Sequence, residues 1–171
     1  DKATIEKYLI AKGLDKKSLV FSSISVENLT TYRYGNNGEV VGQDFAGYKL
    51  TQSVEITSSK IDQVEEVSRN ITELINEGIQ LNSQAPRYYY TKLADLKLSL
   101  VSKATKDARE RAEKIAEESG SHIDKLTTAQ MGIIQITGQN SGEDYSWGGA
   151  YNTSSREKTA SITMKLNYKL D

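Results

Sequence analysis

The chain has no cysteine among its 171 residues. That excludes disulfides, thiolate metal sites and a cysteine nucleophile, while leaving the redox compartment open, because many envelope proteins also lack disulfides. A single histidine, His122, removes histidine-rich metal sites and leaves one residue for any histidine-assisted nucleophile. Its place between a helix stop and a strand suits a surface or capping role, since a helix C-terminus favours a partly protonated imidazole. Pro86 is the only proline and Trp147 the only tryptophan. No apolar run approaches the roughly 20 residues of a membrane-spanning helix, and no signal-peptide pattern is present. Neither sign of charge dominates, with 22 Lys plus Arg against 23 Asp plus Glu. No global field therefore draws nucleic acid or an anionic bilayer, and a polynucleotide partner is disfavoured. Glycine-rich phosphate loops, G-x-S-x-G and EF-hand spacing are all missing.

What is present is alternating secondary structure with clear punctuation. Ile5, Tyr8 and Leu9 mark the apolar side of a short helix stopped by Gly13, and Ile61, Val64, Val67, Ile71, Leu74 and Ile75 mark a second stopped by Gly78. Ser59 followed by Asp62 reads as a capping-box-like start for the second. A long third helix sets Leu93, Leu96, Leu100, Ala104, Ala108, Ala112, Ile115 and Ala116 at steps of three and four and ends at Gly120. Its small residues allow close approach to whatever the helix covers, a sheet above all. Asp107, Glu110, Glu113, Glu117 and Glu118 are interleaved with Lys103, Lys106, Arg109, Arg111 and Lys114. Helical spacing makes this a solvated, salt-bridged face rather than a metal or acid–base cluster.

Between the helices the period becomes two. Tyr48, Leu50, Val54 and Ile56 alternate with polar residues, as do Ile162, Met164, Leu166, Tyr168 and Leu170, so each strand is expected to have one buried and one wet face. The apolar parity shifts between Ile133 and Ile134, the sign of a bulge or of a strand changing its buried side. Together these features predict a single domain over residues 1–171 of the α+β class, with helices packed on one face of a mainly antiparallel sheet. The three glycine-capped helices suggest a repeated αββ unit, although no residue-level self-similarity accompanies it.

Two aromatic features are candidates for interaction. Tyr88, Tyr89 and Tyr90 form a strand-like segment in which two rings are expected to pack and one to face solvent. The segment from Gly138 to Ser155 holds Tyr145, Trp147 and Tyr151 among Gly, Ser and Asn. Such a composition fits a mobile hairpin connection, or a loop that contacts a ligand or a subunit. Too polar to bury apolar surface of its own, the loop is expected to be disordered or to be ordered from outside its hairpin.

YYYTKLADLK, ATKDARERAEKIAEESGSHIDKL, MGIIQI and the closing TASITMKLNYKL resemble the C-terminal half of the SIMPL-domain family, and Leu9 to Tyr34 with Tyr48 to Gly78 resemble its middle. The most specific part is Ala104, Ala108, Ala112 and Ala116 followed by Ser119 and Gly120. The resemblance implies an α+β fold, a bacterial periplasmic or cell-envelope location, ring-like oligomers in some members and a link to oxidative-stress tolerance. It implies no catalytic residues and no cofactor. Family members begin with an anchor or signal and a first strand, and this chain opens at Asp1 already in a helical pattern, so both are expected upstream. The reading is a non-enzymatic envelope domain acting by self-association or by binding a protein partner, with membrane contact only through the upstream anchor. A small-molecule binding module or enzyme using the Trp147 loop, and a signalling adaptor, are the alternatives.

Overall fold

A computed structural model describes residues 1–171, which form two compact units, 1–84 and 85–171. The first opens with α1 (Lys2–Ala11) and a 3-10 turn at Lys16–Ser18. It continues through β1 (Leu19–Phe21), β2 (Ser25–Tyr34), β3 (Val40–Thr51) and β4 (Val54–Ile56) and closes with α2 (Ile61–Asn70) and α3 (Glu73–Asn76). β1 pairs antiparallel with β4, Leu19 opposite Ile56, and β2 with β3, Ser25 opposite Thr51. The Ser22 N–H donates to the Ser53 carbonyl at 2.9 Å between the two pairs, so residues 19–56 make one long two-stranded ribbon. The core lies at the ribbon's base. Leu9, Leu14 and Val67 are buried there, with Ile5, Tyr8, Leu19, Val54, Ile56, Val64 and Ile71 packed around them. Burying a leucine or valine side chain contributes about 1.5–3 kcal/mol, and the period of α1 and α2 delivers Leu9 and Val67 to one place.

The second expected helix is interrupted. Leu74 N–H bonds Ile71 and Ile75 N–H bonds Thr72, three residues back rather than four, so a tightened turn separates α2 from α3. Asn70, Ile71 and Thr72 are all weak helix formers, and the Tyr8 hydroxyl donates to the Asn70 carbonyl at 3.0 Å at the break. The start differs too: Lys60, not Ser59, is the N-cap, and no side chain caps that end. The three glycine stops hold, with φ of +88° at Gly13, +81° at Gly78 and +78° at Gly120, a left-handed conformation that other residues adopt only under strain.

The second unit consists of α4 (Leu93–Glu118), β5 (Ile123–Met131), β6 (Gln135–Gly138), β7 (Lys158–Ser161) and β8 (Met164–Leu170). β5 pairs with β8 and β6 with β7, all antiparallel, and Gly132 N–H to the Thr163 carbonyl at 2.8 Å joins the pairs. The parity shift read at Ile133 and Ile134 is the break between β5 and β6. α4 packs along β8 and reaches β5. Ala104, Ala108 and Ala112 are half-buried and Ala116 is buried, as the stripe required, but Ile115 is 71% exposed and belongs to the other side. Arg109 to Glu113 at 2.8 Å, Arg111 to Asp107 at 3.1 Å and Lys114 to Glu118 at 2.9 Å lace the solvated face.

The class is α+β with antiparallel strands, but the strands lie in four two-stranded sheets rather than under a shared layer of helices. Each unit has a helix leading into four strands, of which the first pairs with the last and the second with the third. The internal regularity is therefore a helix plus a nested ribbon, larger than the αββ unit expected.

The alanine stripe sets the spacing between α4 and β8. Ala108→Leu is expected to lower stability by about 1–3 kcal/mol through overpacking, and Arg109→Ala by no more than about 0.5 kcal/mol. Chemical denaturation checks this, and equal midpoints would mean that Ala108 does not face the strands.

Candidate interaction site

The tip of the second ribbon carries the aromatic loop, and the loop is held by side chains of the ribbon itself. Gln135 on β6 is 8% exposed. Its amide nitrogen donates to the Ser146 carbonyl at 2.9 Å, and its amide oxygen accepts from Ser146 N–H at 3.2 Å and Ala150 N–H at 2.6 Å. Between these anchors Gly149 N–H donates to the Ser146 carbonyl at 3.0 Å, closing a four-residue turn with Trp147 in its second position. Gly149 has φ of +93°, and a Cβ there would lie 3.0 Å from Ile133 Cγ2 and 3.1 Å from the Ile134 carbonyl, so only glycine fits. Trp147 is 98% exposed. The segment after the turn lies alongside β6 in the same direction: Ile136 N–H donates to the Ala150 carbonyl and Asn152 N–H to the Ile136 carbonyl, both at 2.8 Å, and Tyr151 bridges Ile136 in parallel.

A second clamp closes the base of the loop. Gly138 N–H donates to Glu143 Oε2 at 2.8 Å, and the Asn152 amide donates to Glu143 Oε1. Asn152 Oδ1 accepts from Ser155 N–H at 2.8 Å and from Lys158 Nζ at 3.2 Å, and Lys158 also donates to the Asn152 carbonyl at 2.7 Å. The Gly138 N–H, and after it the Asn152 amide, hold the Glu143 carboxyl below its ordinary range. Burial pushes the Lys158 amine down, partly offset by the nearby Glu143 charge. The expectation that this polar loop could not fix its own shape is overturned. Apolar burial was the wrong criterion, because buried amides and a carboxylate satisfied by backbone groups order a loop equally well.

The remaining candidates sort around this loop. The Tyr145 hydroxyl accepts from Ser161 Oγ at 3.1 Å, and its side chain is exposed. Tyr151 lies against Tyr89, ring centroids 6.5 Å apart and planes at 36°. Tyr88 N–H donates to the Thr153 carbonyl at 2.8 Å. The structure thus brings the two aromatic features together through Tyr89 and Tyr151, while Trp147 stands apart on its turn. Tyr88 to Tyr90 do not form a strand, and Tyr89 and Tyr90 are exposed where two packed rings were expected. Pro86 lacks a donor and disfavours a ladder there. Gln135 and Asn152 were missed. The signal for Gln135 was a glutamine inside the apolar run Gly132-Ile133-Ile134-Gln135-Ile136, a polar side chain that has to find partners when buried.

His122 sits at the start of β5, its N–H bonded to Asp171 Oδ1 at 3.0 Å. No group of three His, Asp or Glu side chains is placed to hold a metal ion.

Glu143 makes loop order depend on pH. Its carboxyl is depressed in the folded state, so the stabilisation is present above the ordinary glutamate range and is lost as pH falls through the folded value. Lys158 stays protonated across that acid window and adds no opposing change. Fluorescence anisotropy of Trp147, the sole tryptophan, is expected to hold steady from neutrality to about pH 5 and to drop below about pH 4. Glu143→Gln is expected to be low and flat throughout. A wild-type signal that matches that variant at neutral pH would remove Glu143 as the anchor.

No curated protein and no solved structure matches the chain. The profile of the SIMPL family, described as a protein of unknown function (DUF541), matches residues 1–167. With nearly the whole length matched and the α+β elements in place, the chain belongs to the SIMPL family.

Proposed function

We propose that this domain works without catalysis, by self-association, and that Trp147 is its principal contact residue. The observation that carries the reading is a tryptophan 98% exposed on a turn clamped at both ends by Gln135. An aromatic side chain whose backbone is already fixed loses little freedom on binding, and tryptophan heads the residues that dominate contact energies. Tyr89, Tyr145 and Tyr151 widen the contact around it. The rival reading, a small-molecule site in this loop, needs the indole to line a pocket, whereas the ring points wholly to solvent. The reading extends to a bacterial cell-envelope location and a part in oxidative-stress tolerance, supported by the family resemblance. No helix is long and apolar enough to cross a membrane.

Sedimentation of wild type and Trp147→Ala tests the proposal. The variant is expected to raise the self-dissociation constant about thirtyfold, as loss of a dominant contact residue does. Its monomer melting temperature is expected to stay the same. Wild-type emission is expected to shift on dilution. Identical masses for both proteins, with emission constant at every concentration, would overturn the self-association role.

A further inference from the structure

The tip of the first ribbon has two faces of different kind. Strand side chains alternate, so Glu27, Leu29, Thr31 and Arg33 of β2 share one face and Val26, Asn28, Thr30, Tyr32 and Tyr34 the other. β3 carries two extra residues, Val41 between Gly42 opposite Arg33 and Val40 opposite Tyr34, and Ala46 between Gly47 opposite Leu29 and Phe45 opposite Thr30. Asp44, opposite Thr31, and Lys49, opposite Glu27, therefore lie on the first face although five residues apart. Phe45 and Tyr48 lie together on the second, their rings meeting edge to face at 5.0 Å. The first face is ionic, with Arg33 to Asp44 at 2.9 Å and Lys49 to Glu27 at 3.8 Å. The second is apolar and bare: Val26, Tyr32, Tyr34, Phe45, Tyr48 and Leu50 are between 50% and 65% exposed. Tyr48 and Leu50 had been expected on a buried face.

Neither β2 nor β3 has a further strand beside it. In the second unit a loop lies alongside β6 at the corresponding tip, whereas here a tight turn, Gly38 N–H to the Gly35 carbonyl at 3.0 Å, leaves nothing to fold over. A two-stranded ribbon with open edges and an uncovered apolar face is marginal alone in water. The edge of β3 also reads as its own complement. A second β3 laid antiparallel, with the two-fold axis between Ala46 and Gly47, opposes Asp44 to the second copy's Lys49, Phe45 to its Tyr48 and Gln43 to its Leu50. The extra Ala46 lies beside the axis and offsets the alternation by one, so Asp44 and Lys49, Phe45 and Tyr48, and Gln43 and Leu50 each share a face. Along the ionic side the order becomes Arg33, Asp44, then Lys49 and Glu27 of the second copy, alternating in sign.

We propose that β3 pairs with β3 of a second copy of this chain, giving a four-stranded antiparallel sheet about a two-fold axis. This rests on the self-association reading but uses a surface independent of Trp147. Asp44→Lys and Lys49→Asp each set like charges opposite one another in the homomer, and each is expected to weaken association about tenfold. Mixing the two variants restores opposite charges at both positions, while every contact within a chain stays as it was before mixing. The equimolar mixture is therefore expected to sediment as wild type does. In a chain without cysteine, the double variant Asp44→Cys/Lys49→Cys is expected to give a covalent dimer on oxidation. Single variants that associate normally, a mixture that does not recover, or a double-cysteine chain that stays monomeric would each overturn the pairing. Trp147→Ala separates the two readings: if it dissociates the protein while the charge variants do not, the Trp147 contact stands and this one fails.

Discussion

A two-stranded ribbon satisfies the backbone on one edge of each strand and covers neither of its faces, and both units of this chain are built on one. The consequences follow from where cover is found. At the base of the first ribbon, α1 and α2 supply it, and Leu9, Leu14 and Val67 become a buried apolar cluster. Along the second ribbon, α4 lies over β8 with small residues on the contact side. At the tips the helices no longer reach, and the two units solve the problem differently.

The second tip solves it with polar chemistry. Gln135 meets three backbone groups, and Asn152 joins Glu143, Ser155 and Lys158. Each hydrogen bond contributes only about 0.5–1.5 kcal/mol net, but leaving the buried amide of Gln135 or Asn152 without a partner costs about 1–3 kcal/mol. The asymmetry makes the arrangement close to all-or-none, and it leaves Trp147 unused for folding. Trp147 and Tyr145 are thus free to face outward without loosening the loop. A loop held by apolar burial would have had to spend those rings on itself.

The sequence made some of this legible. A helix or strand whose order comes from a repeating apolar face announces itself, and so α1, α4, the glycine stops and the alternation along β8 were readable. What failed depends on contacts between distant residues. Ile115 fits the helical spacing but falls just outside the covered arc of α4. Tyr48 and Leu50 alternate correctly on a face that nothing in the chain covers. The capping pair at Ser59 and Asp62 was displaced by one residue at the helix start. Tyr88 to Tyr90 have strand-like composition without a neighbouring strand to accept their ladder. The order of the Gly138 to Ser155 loop was invisible because a clamp of one glutamine and one asparagine has no period.

The bare face of β2 and β3 shows how apolar surface and charge divide their work. Exposed ion pairs such as Arg33–Asp44 and Lys49–Glu27, with side chains more than half accessible, contribute at most about 1 kcal/mol each. They cannot by themselves hold a second chain. Backbone hydrogen bonds along the paired edges can, with the apolar contact of Phe45 against the second copy's Tyr48 across the seam. Apolar contact alone, however, would accept a strand slipped along the edge. Slipping by one residue turns every side chain to the opposite face, and slipping by two sets Asp44 and Lys49 against neutral neighbours. The weak charges therefore select the register in which the stronger but less selective pairing of the two edges is realised.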